Sequence, residues 1–486
     1  MKNIKKYTKQ IHITVIILGG IMFLLASFHR NIWFDEAYTV GLINQEFVDM
    51  CKIGINDVHP LLYYILVKIF TLFFGKDIIV LRIFSSIGMI ILSILGFTHI
   101  RKDFGEKVGL IFSFLVSFLP VMLLYAVEIR MYSWAAVFVL LTAIYAYRML
   151  KNNQKKDYFM FVAFSLVSAY IHYFALVTIG IINFIILIYV LFKKKQLLKK
   201  YIILAVTQII LYIPGIIIFV KQATRVASGF WITIKYPDIF LDILKFHFLG
   251  NITSKIVTVF VILFYIYIIV KTVMLYKENK KEMAIPLLAV TLYVSVIVSM
   301  LLVSLISEIF TVRYLMPMTG LLILFLSYIL AKEDKKWITV SILIIISGLS
   351  ILNSYKFYEE IYNRDNTKLQ QLINSEISKD DIFIYTSINN GSIIATYFPE
   401  NKQYFYNINH WTVEEAYKAF SPQLECIDDL TKIDEYKGKI WIIDDNSGNV
   451  YDTISKYSDI NVLKKLEKIN IPYKNAEIYV SLIEKY

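Results

Sequence analysis

The chain has 486 residues, 57 % hydrophobic and only 18 % charged, with a formal charge of +12. Soluble domains carry about 25 % charged residues, and here the apolar excess lies in runs of about twenty, enough to cross a bilayer core of roughly 30 Å. The charge is also wrong for a nucleic-acid stripe: residues 354–486 hold 15 Lys/Arg against 21 Asp/Glu, and residues 1–353 hold 35 against 17, spaced between apolar runs.

The first apolar run, 11–28, has no small-residue cleavage site and reads as a retained helix. Further spans are expected near 78–100, 108–127, 133–150, 157–172, 174–192, 201–220, 255–275, 284–306, 314–331 and 337–353. Eleven crossings put the termini on opposite sides. One alternating set of segments is basic: the N-terminus, 101–107, 148–156, 193–200, 271–281 and 332–336. These hold 23 of the 35 Lys/Arg of the apolar part, which assigns them to the cytoplasm.

Residues 59–75 are apolar enough for a helix but carry Lys68 midway. A full crossing there would turn 19 of those 23 basic residues outward. The stretch is therefore expected as a re-entrant or interfacial helix inside a long first outer loop, 29–77. From about residue 354 the composition becomes polar and mixed. Segments 381–386, 403–406 and 439–443 read as short strands, and 366–378 and 413–420 as helices. This predicts two domains, a membrane module over 1–353 and a small α/β domain over 354–486, outside the membrane by parity. Cys51 and Cys426 could pair, but two isolated thiols are not a disulfide framework. The sequon at Asn251 has no weight without a eukaryotic secretory route.

Five clusters carry chemistry. Trp33-Phe34-Asp35-Glu36-Ala37-Tyr38 follows the first helix. Its paired carboxylates are either functional, one of them able to take a proton from an acceptor hydroxyl, or a solvated loop start with an aromatic belt. His59-Pro60-Leu61-Leu62-Tyr63-Tyr64 opens the short helix; its histidine could meet a phosphate or a metal, or cap the helix. Glu128-Ile129-Arg130-Met131-Tyr132 lies between the third and fourth spans. Glu and Arg two apart do not face each other on a helix, so each reaches a different partner. His172-Tyr173 ends the fifth span, and Arg313-Tyr314 starts the tenth, where an arginine could hold a phosphate or snorkel to headgroups. All five fall on one face under the topology set by Lys and Arg. No P-loop, dinucleotide-binding glycine fingerprint, HExxH or paired CxxC is present.

These motifs resemble the GT-C superfamily of polytopic glycosyltransferases, in particular the ArnT and protein O-mannosyltransferase group (glycosyltransferase family 39 type). The likeness rests on Asp35-Glu36 in the first outer loop and the HPP-like His59-Pro60-Leu61. The E-x-R-M-Y-S segment at 128–133 and the R-Y-x-x-P at 313–317 complete it, over roughly residues 1–320. Leu61 replaces a second proline, and His59 stands where ArnT has a lysine. The resemblance implies a GT-C fold with an extracytoplasmic C-terminal α/β domain, in the cell membrane. It implies a polyprenyl-phosphate-linked sugar donor and an inverting displacement onto a lipid, glycan or protein acceptor. By the same analogy Asp35 is the general base, and Glu36, Glu128 and His59 shape the sugar and acceptor sites. Arg130 and Arg313 would steady the departing phosphate, with Tyr132, His172 and Tyr314 completing the substrate site. Some members need a divalent metal, for which Asp35, Glu128 and His59 are the candidate ligands. The competing readings are a transporter or flippase of lipid-linked sugars and a non-catalytic scaffold. Internal repeats and midplane charges, usual in transporters, are not visible.

Overall fold

The computed structural model describes residues 2–227, 232–250, 254–362, 371–372, 377–386, 388–407, 417–444, 450–456, 459–471 and 476–486. They form two compact units: Met1–Phe28, Val58–Tyr63 and Arg82–Lys356 make one, and His29–Asp57, Tyr64–Leu81 and Phe357–Tyr486 the other. The change of unit at residue 356 falls inside the helix Lys336–Tyr362, close to the expected composition change. Residues 29–57 and 64–81 group with the C-terminal part, whereas the sequence placed them with the membrane module.

The first unit is helical. Among the described residues nine helices are long and apolar enough to cross a membrane, from Tyr7–Ala26 to Lys336–Tyr362, or ten if one bent pair counts as a span. The bent pair is Glu106–Phe118 and Pro120–Val127, which meet at 65° inside the run expected as 108–127. Its cause is local: Pro120 disfavours helical backbone in Leu119, which takes φ −66°, ψ 130°. The remaining expected crossing, 157–172, is the 17-residue helix Lys155–Ile171, about 26 Å long at 1.5 Å per residue. The span Val312–Ala331 is 94 % buried and Lys336–Tyr362 only 22 %, so the former is central and the latter peripheral.

Small residues let these helices approach. A Cβ on Gly96 would lie 2.2 Å from Ser113 Oγ and 2.8 Å from Gly109 O, so only glycine fits. Beside this contact Ser113 Oγ donates to Ser93 O at 2.6 Å, and the Ser93 and Ser117 hydroxyls meet at 3.1 Å. Such bonds satisfy hydroxyls that an apolar surrounding would otherwise strand.

The second unit contains a six-stranded sheet: β1 (Ile382–Tyr385), β2 (Gln403–Tyr406), β3 (Leu424–Ile427), β4 (Gly438–Asp444), β5 (Ile460–Ile471) and β6 (Ala476–Lys485), in the order β3-β2-β1-β4-β6-β5. The first four are parallel; β6 runs antiparallel to both β4 and β5. Ile382, Ile384, Ile440 and Ile442 face a core closed by Leu430, Val450 and Ile454. The three expected strands thus coincide with β1, β2 and β4. Most of 366–378, residues 413–416 of the second expected helix, and the sequon at Asn251 lie outside the described residues. Cys51 and Cys426 are not joined in a disulfide.

The apolar stretch after His59 forms the helix Leu62–Phe74, 13 residues and about 20 Å, short of a crossing. Lys68 Nζ donates to Ile43 O at 2.7 Å and Gln45 O at 2.6 Å, placing its charge on the last carbonyls of the helix Phe34–Asn44. A cation there is favourable. This explains a lysine in the middle of an otherwise apolar helix.

Candidate active site

In the helical unit the bend at Pro120 sets the site. Glu128 ends the helix Pro120–Val127 in an extended conformation, and Arg130 N–H turns back onto Glu128 O at 2.7 Å. Tyr132 then opens the helix Tyr132–Asn152. This tight turn keeps Glu128, Arg130 and Tyr132 all buried in an apolar bundle, where ionised groups persist only with partners. Arg130 Nη2 lies 3.1 Å from Nε2 and 3.3 Å from Nδ1 of His59. The His59 carbonyl accepts from Gln222 Nε2 at 3.1 Å, and Tyr173 OH donates to Gln222 Oε1.

His172 is extended (φ −154°, ψ 135°) between two helices and caps Tyr173–Lys193, its Nδ1 accepting Phe174 N–H at 3.1 Å. Its ring stands 5.7 Å from Tyr132, 5.8 Å from Phe174 and 5.6 Å from Tyr314, centroid to centroid. Arg313 and Tyr314 lie on the 3₁₀ turn Val312–Met318, the guanidinium 5.6 Å from the Tyr314 ring. Glu128, Arg130, Arg313 and Tyr314 all act electrostatically on the Tyr132 phenol, so seven sequence-predicted residues converge in this unit. Beside them is a cavity of about 260 Å³. His59, His172, Gln222 and Tyr314 line one part, and Phe174, Phe219, Val226, Val303 and Ile309 line the rest. Polar groups gathered against an apolar wall suit a ligand with a charged head and a hydrocarbon tail.

Asp35 and Glu36 belong to the second unit. They occupy the first turn of the helix Phe34–Asn44, where carboxylates favour the helix dipole. They differ in burial. Glu36 is fully buried, and its Oε2 accepts Trp33 N–H at 3.3 Å, half of a capping box. Asp35 is only partly buried. The C-terminal part grips this helix. Gln45 Nε2 donates to Lys418 O at 2.5 Å, Phe420 packs 5.4 Å from the Phe34 ring and 5.9 Å from Tyr38, and Tyr397 OH donates to Arg30 O at 2.7 Å.

Among the described residues no group of three or more His, Cys, Asp or Glu is arranged to hold a metal ion. The sequence reading missed Gln222, which fixes His59, and Arg82, whose Nη1 donates to Val127 O at 2.8 Å and caps the helix that presents Glu128. Arg82 was legible only as a lone charge in an apolar run, and Gln222 only as one of several polar residues at the end of another.

A bundle of long apolar helices with charges and aromatics clustered at helix ends, together with an α/β unit, defines a multi-pass membrane protein. The comparisons agree. A family model for dolichyl-phosphate-mannose-protein mannosyltransferase matches residues 58–218, about a third of the chain. The crystal structure of ArnT from Cupriavidus metallidurans in the apo state superposes with a TM-score of 0.63 at 10 % identity, covering 97 % of each chain. The same protein bound to undecaprenyl phosphate gives 0.60 at 10 % identity, again over 97 % of both chains. No curated protein sequence matches. The fold is therefore ArnT-like.

Proposed function

We propose that this chain is a membrane glycosyltransferase that moves a sugar from a polyprenyl-phosphate-linked donor onto an acceptor at the outer face of the cell membrane, with inversion at the anomeric carbon. The observation that carries the reading is the convergence of Arg130, Arg313, His59, Glu128 and His172 beside a cavity with a largely apolar wall. A sugar phosphate needs the cations and a prenyl chain needs the wall. The ArnT-like fold, solved elsewhere with undecaprenyl phosphate bound, supports the same donor class. The Lys and Arg distribution supports an inner N-terminus and an outer C-terminal domain.

In this reading an acceptor oxygen attacks the anomeric carbon as the bond to the phosphate oxygen breaks. Arg130 and Arg313 stabilise the charge that develops on the leaving phosphate. Glu128 and His59 hold the sugar and keep Arg130 oriented. Asp35, assigned by the resemblance, takes the acceptor's proton. Glu36 supports it by capping the helix that carries it.

The test uses the purified full-length chain with a panel of radiolabelled polyprenyl-phosphate sugars and cell-envelope fractions as acceptors. Transfer of label into a glycosidic product, with release of polyprenyl phosphate, is expected. Movement of intact donor across vesicle membranes without a product would establish the transporter reading instead.

A further inference from the structure

We infer that His172 reads a hydroxyl of the donor sugar, through a hydrogen bond donated by its Nε2–H. The inference rests on the proposed glycosyl transfer and assigns that site its sugar-selecting residue.

The argument starts from the cap. His172 Nδ1 accepts the Phe174 N–H, so that nitrogen presents its lone pair and a neutral ring carries its proton on Nε2. Protonating Nδ1 would break the cap. The fixed charges of Arg130 and Arg313 also act on the ring and oppose a further positive charge. His172 is therefore a fixed neutral donor and not a switchable cation.

Nε2 is buried and has no hydrogen-bond partner among the described residues, and His172 lines the cavity. The Tyr132 hydroxyl, on the neighbouring ring, is in the same condition. Two adjacent buried polar groups left unbonded are costly, and native interiors rarely keep them without a purpose. Around His172 stand the rings of Tyr132, Phe174 and Tyr314. Aromatic faces with neutral donors and acceptors between them match a sugar ring, which offers C–H faces and hydroxyls. The phosphate is better matched by the two arginines, which supply full charge and paired donors. The division of labour follows: arginines for the phosphate, His172 with Tyr132 for the sugar.

The discriminating variant is His172→Asn. Asparagine is a good N-cap, so its side-chain oxygen can still accept Phe174 N–H, but it has no donor where Nε2–H was. The full-length chain in detergent is titrated with sugar-free polyprenyl phosphate and with polyprenyl-phosphate hexoses and pentoses. The expected result is wild-type affinity for the sugar-free lipid and a loss of about 2- to 10-fold for the preferred sugar-bearing donor, the size of one neutral hydrogen bond. Unchanged affinity for both lipids would make His172 a cap only. An equal loss for both would place it on the phosphate or the tail. Either result overturns the inference and leaves the glycosyltransferase reading intact. A wild-type chain that binds neither lipid overturns that reading itself, and the inference with it. If His172→Asn does not fold, the wild type is given donors lacking one hydroxyl each. One position should then show the same 2- to 10-fold loss, and none showing it overturns the inference.

Discussion

Gly41 offers a direct test of whether the C-terminal part holds the Asp35 helix. A Cβ at this position would lie 2.2 Å from Ala419 O, 2.5 Å from Phe420 Cα and 2.7 Å from Phe420 O. All three are backbone atoms, so no side-chain rotation relieves the clash. Overpacking costs about 1–3 kcal/mol, and contacts this short belong near the top of that range. Alanine regains up to about 1 kcal/mol of helix propensity over glycine. The net penalty for Gly41→Ala is thus roughly 1–2 kcal/mol, a shift of about 5- to 30-fold toward the undocked helix at 1.4 kcal/mol per tenfold. Gly20→Ala is the control, since its Cβ would meet nothing closer than Ile90 at 3.8 Å. Limited proteolysis within residues 29–57, with donor turnover on the same preparations, reads the effect. Gly41→Ala should be cut faster and turn over more slowly than the wild type, while Gly20→Ala matches it. A Gly41→Ala chain indistinguishable from Gly20→Ala in both assays would refute the claim that the C-terminal part positions this helix.

Asp35→Asn keeps the size of the side chain but removes the basic oxygen, so transfer should fall by about 10²–10⁴-fold, the usual range for a general base. Thermal stability and donor binding should be unchanged, and near-normal transfer would end the base assignment. Glu36→Ala should instead lower the melting temperature, since it strips the capping carboxylate from Trp33 N–H, whereas Glu36→Gln, which keeps an acceptor, should be milder. Arg130→Ala and Arg313→Ala should each weaken use of the lipid-linked donor in folded protein, and lysine should rescue only partly because it lacks the planar fork. Normal turnover by both alanine variants would remove the phosphate role. Single cysteines labelled from outside the cell should react at residues 41–58 and 354–486 and stay silent at 193–200. Reaction at 193–200 would invert the topology and the one-face argument with it.

Composition and periodicity alone sufficed for the membrane class, most of the spans and three strands, and singled out the five candidate clusters. Spans are legible because a bilayer demands long uninterrupted apolar runs, and the strands because their short buried segments stand out in a polar tail. Lys68 marked 59–75 as a stretch that does not cross, and its bonds to Ile43 O and Gln45 O show where the charge goes. Other features depended on geometry that composition and periodicity do not carry. The run at 108–127 reads as one span until Leu119 and Pro120 break it, and that break buries Glu128 and Arg130 in a turn. Asp35 and Glu36 look equivalent as a pair, yet Glu36 is buried with its carboxylate on Trp33 N–H and Asp35 is only partly buried, because a helix separates neighbours by about 100°. The grip of residues 417–420 on the helix Phe34–Asn44, and the tautomer imposed on His172 by Phe174 N–H, have no sequence signature. Close approach and hydrogen-bond direction are properties of packing, and packing is decided only when the whole chain has folded.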